Sequence, residues 1–408
     1  MLTENRGGFK IVSVVTAYPR NKKDVIIPWI IRLIKILKKK GVETEIFTSS
    51  YMGMKDHTDD GIKVKRFRYF LKSAEKLSHD ISIVERLKSN SFYFFLLPFF
   101  MIFGMISAVL YAKKNHFDII HVHFPFPLAF FALAMKKVRK VPVVYSFHGS
   151  DINLAHRNRF FKKVCRMLIS RADHIVVNSS FTAERVSGLL SGDTPLSIIP
   201  MGSGGEISKS AKKFSDFTKN GNIRILFAGR LIKLKGVEYL LRALSMLDSR
   251  FRLTVAGDGP CFNELKKYAD KSLEDRVDFP GFVSPDKMSE LYRKSDIFVL
   301  PSIVDDEGFS EGLGTVLIEA IQHRVPVIAS HVGGIPDIVE NGETGILVPQ
   351  KNPEKLAEAL KKLADDGEFR KKIVEKAEKN LKKRFAWETV AEKHMSCYRE
   401  VLGKKCFS

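Results

Sequence analysis

The chain predicts an α/β protein of two open domains, each a parallel sheet sheathed by helices. Three observations predict it. A length of 408 residues suffices for two cores of ordinary size. Short apolar runs alternate with helix-like stretches from one end to the other. The alternation breaks at Gly202-Ser203-Gly204-Gly205 and the polar, Lys/Ser-rich stretch that follows it to Gly221. The boundaries read from this are an N-terminal domain over 1–203, a linker over 204–221, a C-terminal domain over 222–383 and a further helix over 384–408.

In order along the first half, the strand-like runs are 10–15, 44–48, 118–123, 141–147, 174–178 and 196–200. The first is too short for a signal segment and passes into Thr16-Ala17-Tyr18-Pro19 as a strand passes into a loop, so the expected compartment is the cytoplasm. Residues 92–112 are uncharged and rich in Phe, and about 20 such residues can cross a bilayer. Pro98 and Gly104 interrupt them, however, and a crossing would put the motifs on either side in different compartments. The expectation is a helix packed on the sheet with part of its face dipping into a membrane interface, the alternative being plain core.

The second half reads as strands over 223–228, 251–256, 277–280, 296–301, 327–330 and 345–348. Ligands of such sheets bind beyond the carboxyl ends of the strands. The informative loops fall there: His148-Gly149-Ser150-Asp151, Gly229-Arg230-Leu231, Gly257-Asp258-Gly259-Pro260 and Gly281-Phe282-Val283. After the fourth strand comes Glu311-Gly312-Leu313-Gly314-Thr315, running into a helix that carries Glu319. Loop amides and a positive helix end suit an anion, and two carboxylates accept from sugar hydroxyls. Counting from Glu307 would put Thr315 at the second acidic position, so Glu311 is the first acid, and Asp305, Asp306 and Glu307 form an acidic insertion.

Arg230 and Lys235, in one loop, supply a guanidinium fork and a compact ammonium for a diphosphate leaving group. No G-x-x-x-x-G-K-[S/T] phosphate loop accompanies them, which favours a sugar donor over ATP hydrolysis. His121 and His123 share one strand face, but no third metal ligand is evident, and a structural or cleft-lining role is expected. The cysteines Cys165, Cys261, Cys397 and Cys406 lack zinc spacing and suit a reducing compartment. The net charge of +21 is concentrated in the first 203 residues, which hold 32 Lys+Arg against 15 Asp+Glu. An anionic membrane face or a phosphorylated acceptor fits such a surface; no motif for reading nucleic acid accompanies it.

This ordered set of loops, with Gly333-Gly334-Ile335-Pro336-Asp337 and Asn341-Gly342-Glu343-Thr344-Gly345, resembles the retaining glycosyltransferases of the GT-B fold, family 4, the glycosyl transferases group 1 family. The resemblance implies two Rossmann-like, doubly wound domains facing each other across a cleft. It also implies a last helix, opened by Phe385-Ala386-Trp387-Glu388, that crosses back to the first domain. It implies transfer of a hexose-type sugar from a nucleotide-diphosphate sugar, with retention and without metal or other cofactor. Arg230 and Lys235 match the diphosphate pair, Glu311 the acid on the donor sugar and Glu319 the acid on the ribose. Gly229, Gly257 and the amides of Gly312, Leu313, Gly314 and Thr315 line the donor, and the Phe282-Val283 backbone reads the base. His148 matches the histidine beside the reacting sugar. The loop after the first strand departs from the family in having no glycine, so Arg20, Lys22, His123 and Asp151 are the acceptor-side candidates, for a glycan or lipid-linked acceptor. A nucleotide-sugar epimerase and an idle nucleotide-sugar-binding module are the competing readings.

Overall fold

The structure is a computed structural model and describes residues 8–21, 24, 26–80, 83, 86–87, 90–149, 151–152, 155, 159–190, 192–202 and 221–405. Lys22 and all but the last residue of the expected linker over 204–221 lie outside the described residues. The chain divides into two compact units, one gathering Met1–Asn178, Thr182–Ile199 and Val390–Ser408, the other Ser179–Phe181 and Pro200–Thr389.

The first unit is built on eight strands: β1 (Lys10–Val14), β2 (Glu43–Ser49), β3 (His57–Asp59), β4 (Ile62–Phe67), β5 (Ile119–His123), β6 (Val143–Phe147), β7 (His174–Val177) and β8 (Leu196–Ile198). Their order is β3-β4-β2-β1-β5-β6-β7-β8, parallel except for the β3–β4 pair. Strands β5 and β6 are buried along their whole length, as a sheet covered on both faces requires. The covering helices are α1 (Pro28–Lys39), α2 (Phe92–Lys114), α3 (Pro125–Arg139), α4 (Arg159–Ile169) and α5 (Ser180–Ser187). In α1 the apolar positions Ile30, Leu33, Ile34 and Leu37 recur at helical spacing and are buried, Pro28 opens the first turn and Lys38 and Lys39 sit in the last.

The β3–β4 hairpin is not among the expected strands. Its signal was present: Asp60 and Gly61, both at positive φ, join Ile62-Lys63-Val64-Lys65-Arg66-Phe67, which alternates apolar with basic residues. The other twelve strands all appear, with ends within two residues of those expected.

The second unit holds β9 (Ile223–Ala228), β10 (Phe251–Ala256), β11 (Val277–Gly281), β12 (Ile297–Leu300), β13 (Val327–Ser330) and β14 (Ile346–Val348) in the order β11-β10-β9-β12-β13-β14, all parallel. Helices α6 (Val237–Ser245), α7 (Phe262–Ser272), α8 (Pro285–Lys294), α9 (Thr315–Gln322), α10 (Pro353–Asp365) and α11 (Gly367–Arg384) cover it. The last helix, α12 (Trp387–Lys405), belongs from Val390 onward to the first unit, where the Tyr398 hydroxyl lies 2.8 Å from His121 Nδ1. In the second sheet the strand order reverses between β9 and β12, the position at which ligands of such sheets bind.

Candidate functional site

In the second unit, the loops after β9 and β12 meet at this reversal. Lys235 ends a short helical turn, Lys233–Lys235, and its Nζ lies 2.5 Å from Glu311 Oε2, a contact between residues 76 positions apart. Both side chains are largely enclosed, at 16% and 14% exposure. The Ser302 hydroxyl, two residues past β12, donates to the same oxygen at 3.3 Å. One Glu311 oxygen is thus held from two sides. Arg230, on the loop that leads to Lys235, is exposed, and Leu231 anchors that loop in the core.

The backbone around this pair is tightly apposed. A Cβ on Gly257 would fall 1.9 Å from the Gly229 carbonyl oxygen, so the loops after β9 and β10 run main chain against main chain. Gly334 N–H donates to the Glu311 carbonyl at 2.9 Å, fixing the acid's own backbone. The acidic insertion closes on itself as a turn: Asp305 Oδ1 accepts from Glu307 N and Phe309 N at 3.0 and 2.8 Å. It leaves the register that begins at Glu311 intact. Leu313 is buried, Gly314 takes positive φ at the helix cap and Thr315 opens α9, whose first amides have no partner within the helix.

Glu319, one turn further along α9, is open to solvent on one side while its Oε2 accepts from the buried Tyr292 hydroxyl at 3.1 Å. Burial holds its pKa above the ordinary carboxylate value, and the Tyr292 hydrogen bond pulls the other way. Tyr292 was not anticipated from sequence; it arrives from α8, 27 residues away. After β11, Phe282 is 74% exposed beside the half-buried Val283.

The first unit carries a second set of candidates at the carboxyl ends of β5 and β6. His123 Nδ1 lies 3.3 Å from His148 Nε2, and the His148 ring packs against Phe124 and Trp29 with centroids 4.6 and 4.5 Å away. His148 Nδ1 is buried without a hydrogen-bond partner among the described residues. Burial depresses the pKa of His148 to about 3 and of His394 to about 4, and moves His121 and His123 well below their ordinary value, so the cluster is neutral imidazole at neutral pH. Both His121 nitrogens are engaged, by Ser146 and Tyr398, which makes His121 a framework residue. Asp151 accepts from His148 N–H at 3.1 and 3.2 Å; burial pushes its pKa up to about 7 against the pull of backbone donors.

The glycine-free loop after β1 has its own support. Arg66, 3% exposed, donates to the carbonyls of Tyr18, Pro19 and Ser49 and lies 2.8 Å from His79 Nε2. Burial lowers its pKa to about 10 and, with the Arg66 charge beside it, that of His79 to about 3. Arg20 on this loop pairs with Asp24 at 2.7 Å and lies over the Tyr51 ring, so its charge is already partly spent. Neither Arg66, on β4, nor Trp29, on α1, carried a motif signal; each is found only by where the fold brings it.

With this geometry in view, residues 29–202 match the family model described as Glycosyltransferase Family 4, and residues 208–380 that described as Glycosyl transferases group 1. An uncharacterized glycosyltransferase of Methanocaldococcus jannaschii is 27% identical over 340 residues, 75% of this chain and 84% of its own. The amylovoran biosynthesis glycosyltransferase AmsK of Erwinia amylovora is 30% identical over 270 residues, covering 64% of this chain and 65% of its own. Among solved structures, Anabaena HepE in complex with UDP and glucose superposes with a TM-score of 0.68 over 95% of this chain and 99% of its own, at 18% identity, a likeness of fold.

Proposed function

Because the chain belongs to the family 4, group 1 glycosyltransferases and has the two Rossmann-like domains of the GT-B fold, we propose that it moves a hexose-type sugar from a nucleotide-diphosphate sugar to an acceptor hydroxyl with retention of configuration. The bond from the anomeric carbon to the diphosphate breaks, the bond to the acceptor oxygen forms on the same face, and the acceptor proton passes to the leaving phosphate oxygen. The observation that carries this reading is the Lys235–Glu311 contact at the strand-order reversal of the second sheet. It sets a cation for the developing diphosphate charge beside an acceptor for sugar hydroxyls.

Arg230 and Lys235 hold the diphosphate in place of a metal, with the amides of Gly312, Leu313, Gly314 and Thr315 as further donors. Gly229 and Gly257 let the backbone approach, Glu319 takes the ribose, and the Phe282-Val283 backbone meets the base. His148, neutral and with a nitrogen unpartnered among the described residues, is the histidine that the family resemblance assigns to the reacting sugar. His123, Asp151, Arg20 and Lys22 are the acceptor-side set. Assembly of a cell-surface polysaccharide or glycolipid at the cytoplasmic face is the proposed setting; the name of AmsK supports a polysaccharide, and the UDP and glucose held by HepE support a nucleotide-sugar donor.

The test is a panel of nucleotide sugars screened for thermal stabilisation of the full chain in excess chelator. Binding of the native state alone at about 100 times Kd adds about 2.7 kcal/mol. One nucleotide sugar is expected to raise Tm clearly; a panel in which none does would overturn the donor assignment.

A further inference from the structure

We infer that α2 is a docking helix for anionic lipid: its outer face lies in the headgroup layer while its inner face stays packed on the first sheet. The inference rests on the surface of the first unit and not on the donor-site reading. Helix α2 carries no charge before Lys113 and Lys114 in its last turn. Its buried positions Leu96, Phe100, Gly104 and Ala108 recur every fourth residue. At Gly104 a Cβ would lie 2.4 Å from the Phe131 ring of α3, so the two helices meet at close range. Phe100 also packs on Phe67 and Phe131, with centroids 5.4 and 5.6 Å away.

The opposite face is apolar too. Phe94, Phe95, Ile102, Phe103, Ile106 and Leu110 are between 46% and 57% exposed, a stripe running the length of a helix about 35 Å long. Leu71, 70% exposed, follows Phe70, whose ring packs on Phe95 and Phe99. A contiguous patch of this size on a water-facing surface marks an interaction site.

Charge selects the occupant. Lys113 and Lys114 stand exposed at one end, beside Arg139, which donates to the Ala112 and Lys113 carbonyls at 2.5 and 3.2 Å. Exposed Lys72 follows Leu71, near the other end. The acid on that loop, Glu75, is buried and taken up by Arg68 and by backbone amides. An apolar stripe with cations at both ends matches the layering of acyl chains under anionic phosphates. Crossing the bilayer would strip the Phe100–Phe131 packing and the Arg139 bonds, so the helix lies on the membrane.

Co-sedimentation of the full chain with vesicles decides it, using phosphatidylcholine alone and phosphatidylcholine with about one third phosphatidylglycerol. The wild type is expected to partition more strongly onto the anionic vesicles and to release as salt rises. Phe94→Ser with Phe103→Ser, both at exposed positions, should lower partition about tenfold or more, since each removes a phenylalanine from the apolar phase. Lys113→Glu with Lys114→Glu should abolish the preference for phosphatidylglycerol, and unchanged circular dichroism would show that the variants fold. No greater binding to anionic than to neutral vesicles at low salt overturns the proposal. So does a wild-type dimer that becomes monomeric on Phe103→Ser without binding vesicles, which would assign the face to a second copy of the chain.

Discussion

Replacing Lys235 by Met leaves the Glu311 carboxylate, 14% exposed, with the Ser302 hydroxyl at 3.3 Å as its remaining side-chain partner among the described residues. A hydrogen bond to a charged group is worth about 1.5–3 kcal/mol, so the free protein should lose roughly that much stability. In the proposed donor complex the same substitution also removes the cation assigned to the diphosphate. A loss of similar size there lowers donor affinity by about tenfold to hundredfold, at 1.4 kcal/mol per decade. Because the two side chains touch, their effects are not additive: with Glu311→Gln, the double-mutant cycle should show about 1 kcal/mol or more of coupling in urea-derived stability. Titration calorimetry with the stabilising nucleotide sugar, alongside urea unfolding of the four proteins, gives both quantities. Coupling within about 0.3 kcal/mol of zero, with donor affinity unchanged in Lys235→Met, would refute the pairing as a donor-site device.

Tyr292→Phe removes the donor to Glu319 at 3.1 Å; calorimetry should show nucleotide affinity down by roughly fivefold to tenfold, and urea unfolding a stability loss of about 1 kcal/mol. Arg66→Met strands the carbonyls of Tyr18, Pro19 and Ser49 in the interior and should cost about 3 kcal/mol or more by urea unfolding. Asp151 binds its proton more tightly folded than unfolded, its pKa rising from 3.8 to about 7. Its contribution to stability is therefore full below the unfolded value and lost as pH rises through about 7, so the stability of wild type minus that of Asp151→Asn should fall across this window. His148, depressed to about 3 from 6.5, has the opposite sign, and the difference for His148→Gln should rise over the span between those values.

The loops of the proposed donor site were legible as loops because they sit directly after strands whose apolar runs are unambiguous. Glu311, Lys235, Gly257 and Phe282 could be placed by counting from a strand end, and the reversal of strand order then brings two of those loops together. What could not be read were side chains whose role is set by tertiary neighbours. Tyr292 looks like any aromatic on an amphipathic helix until α8 lays it against Glu319. Arg66 reads as one cation in an alternating strand, yet the sheet places it in the interior under the β1 loop. The glycine-free loop resisted for the same reason, since its support comes from Arg66, 48 and 47 positions beyond the Tyr18 and Pro19 carbonyls that it holds. Residues 92–112 gave composition but no amphipathic period, because both faces of α2 are apolar and only its neighbours distinguish the buried side.

The most direct measurement compares wild type and Glu311→Gln in excess chelator, with the nucleotide sugar that stabilises the fold and a panel of acceptors, recording nucleoside diphosphate release and the anomeric configuration of the product by NMR. Transfer at this site requires that the wild type turn over without metal and keep the donor's configuration, and that Glu311→Gln bind nucleotide but lose most turnover. An inverted product, or near-wild-type turnover in Glu311→Gln, would contradict it.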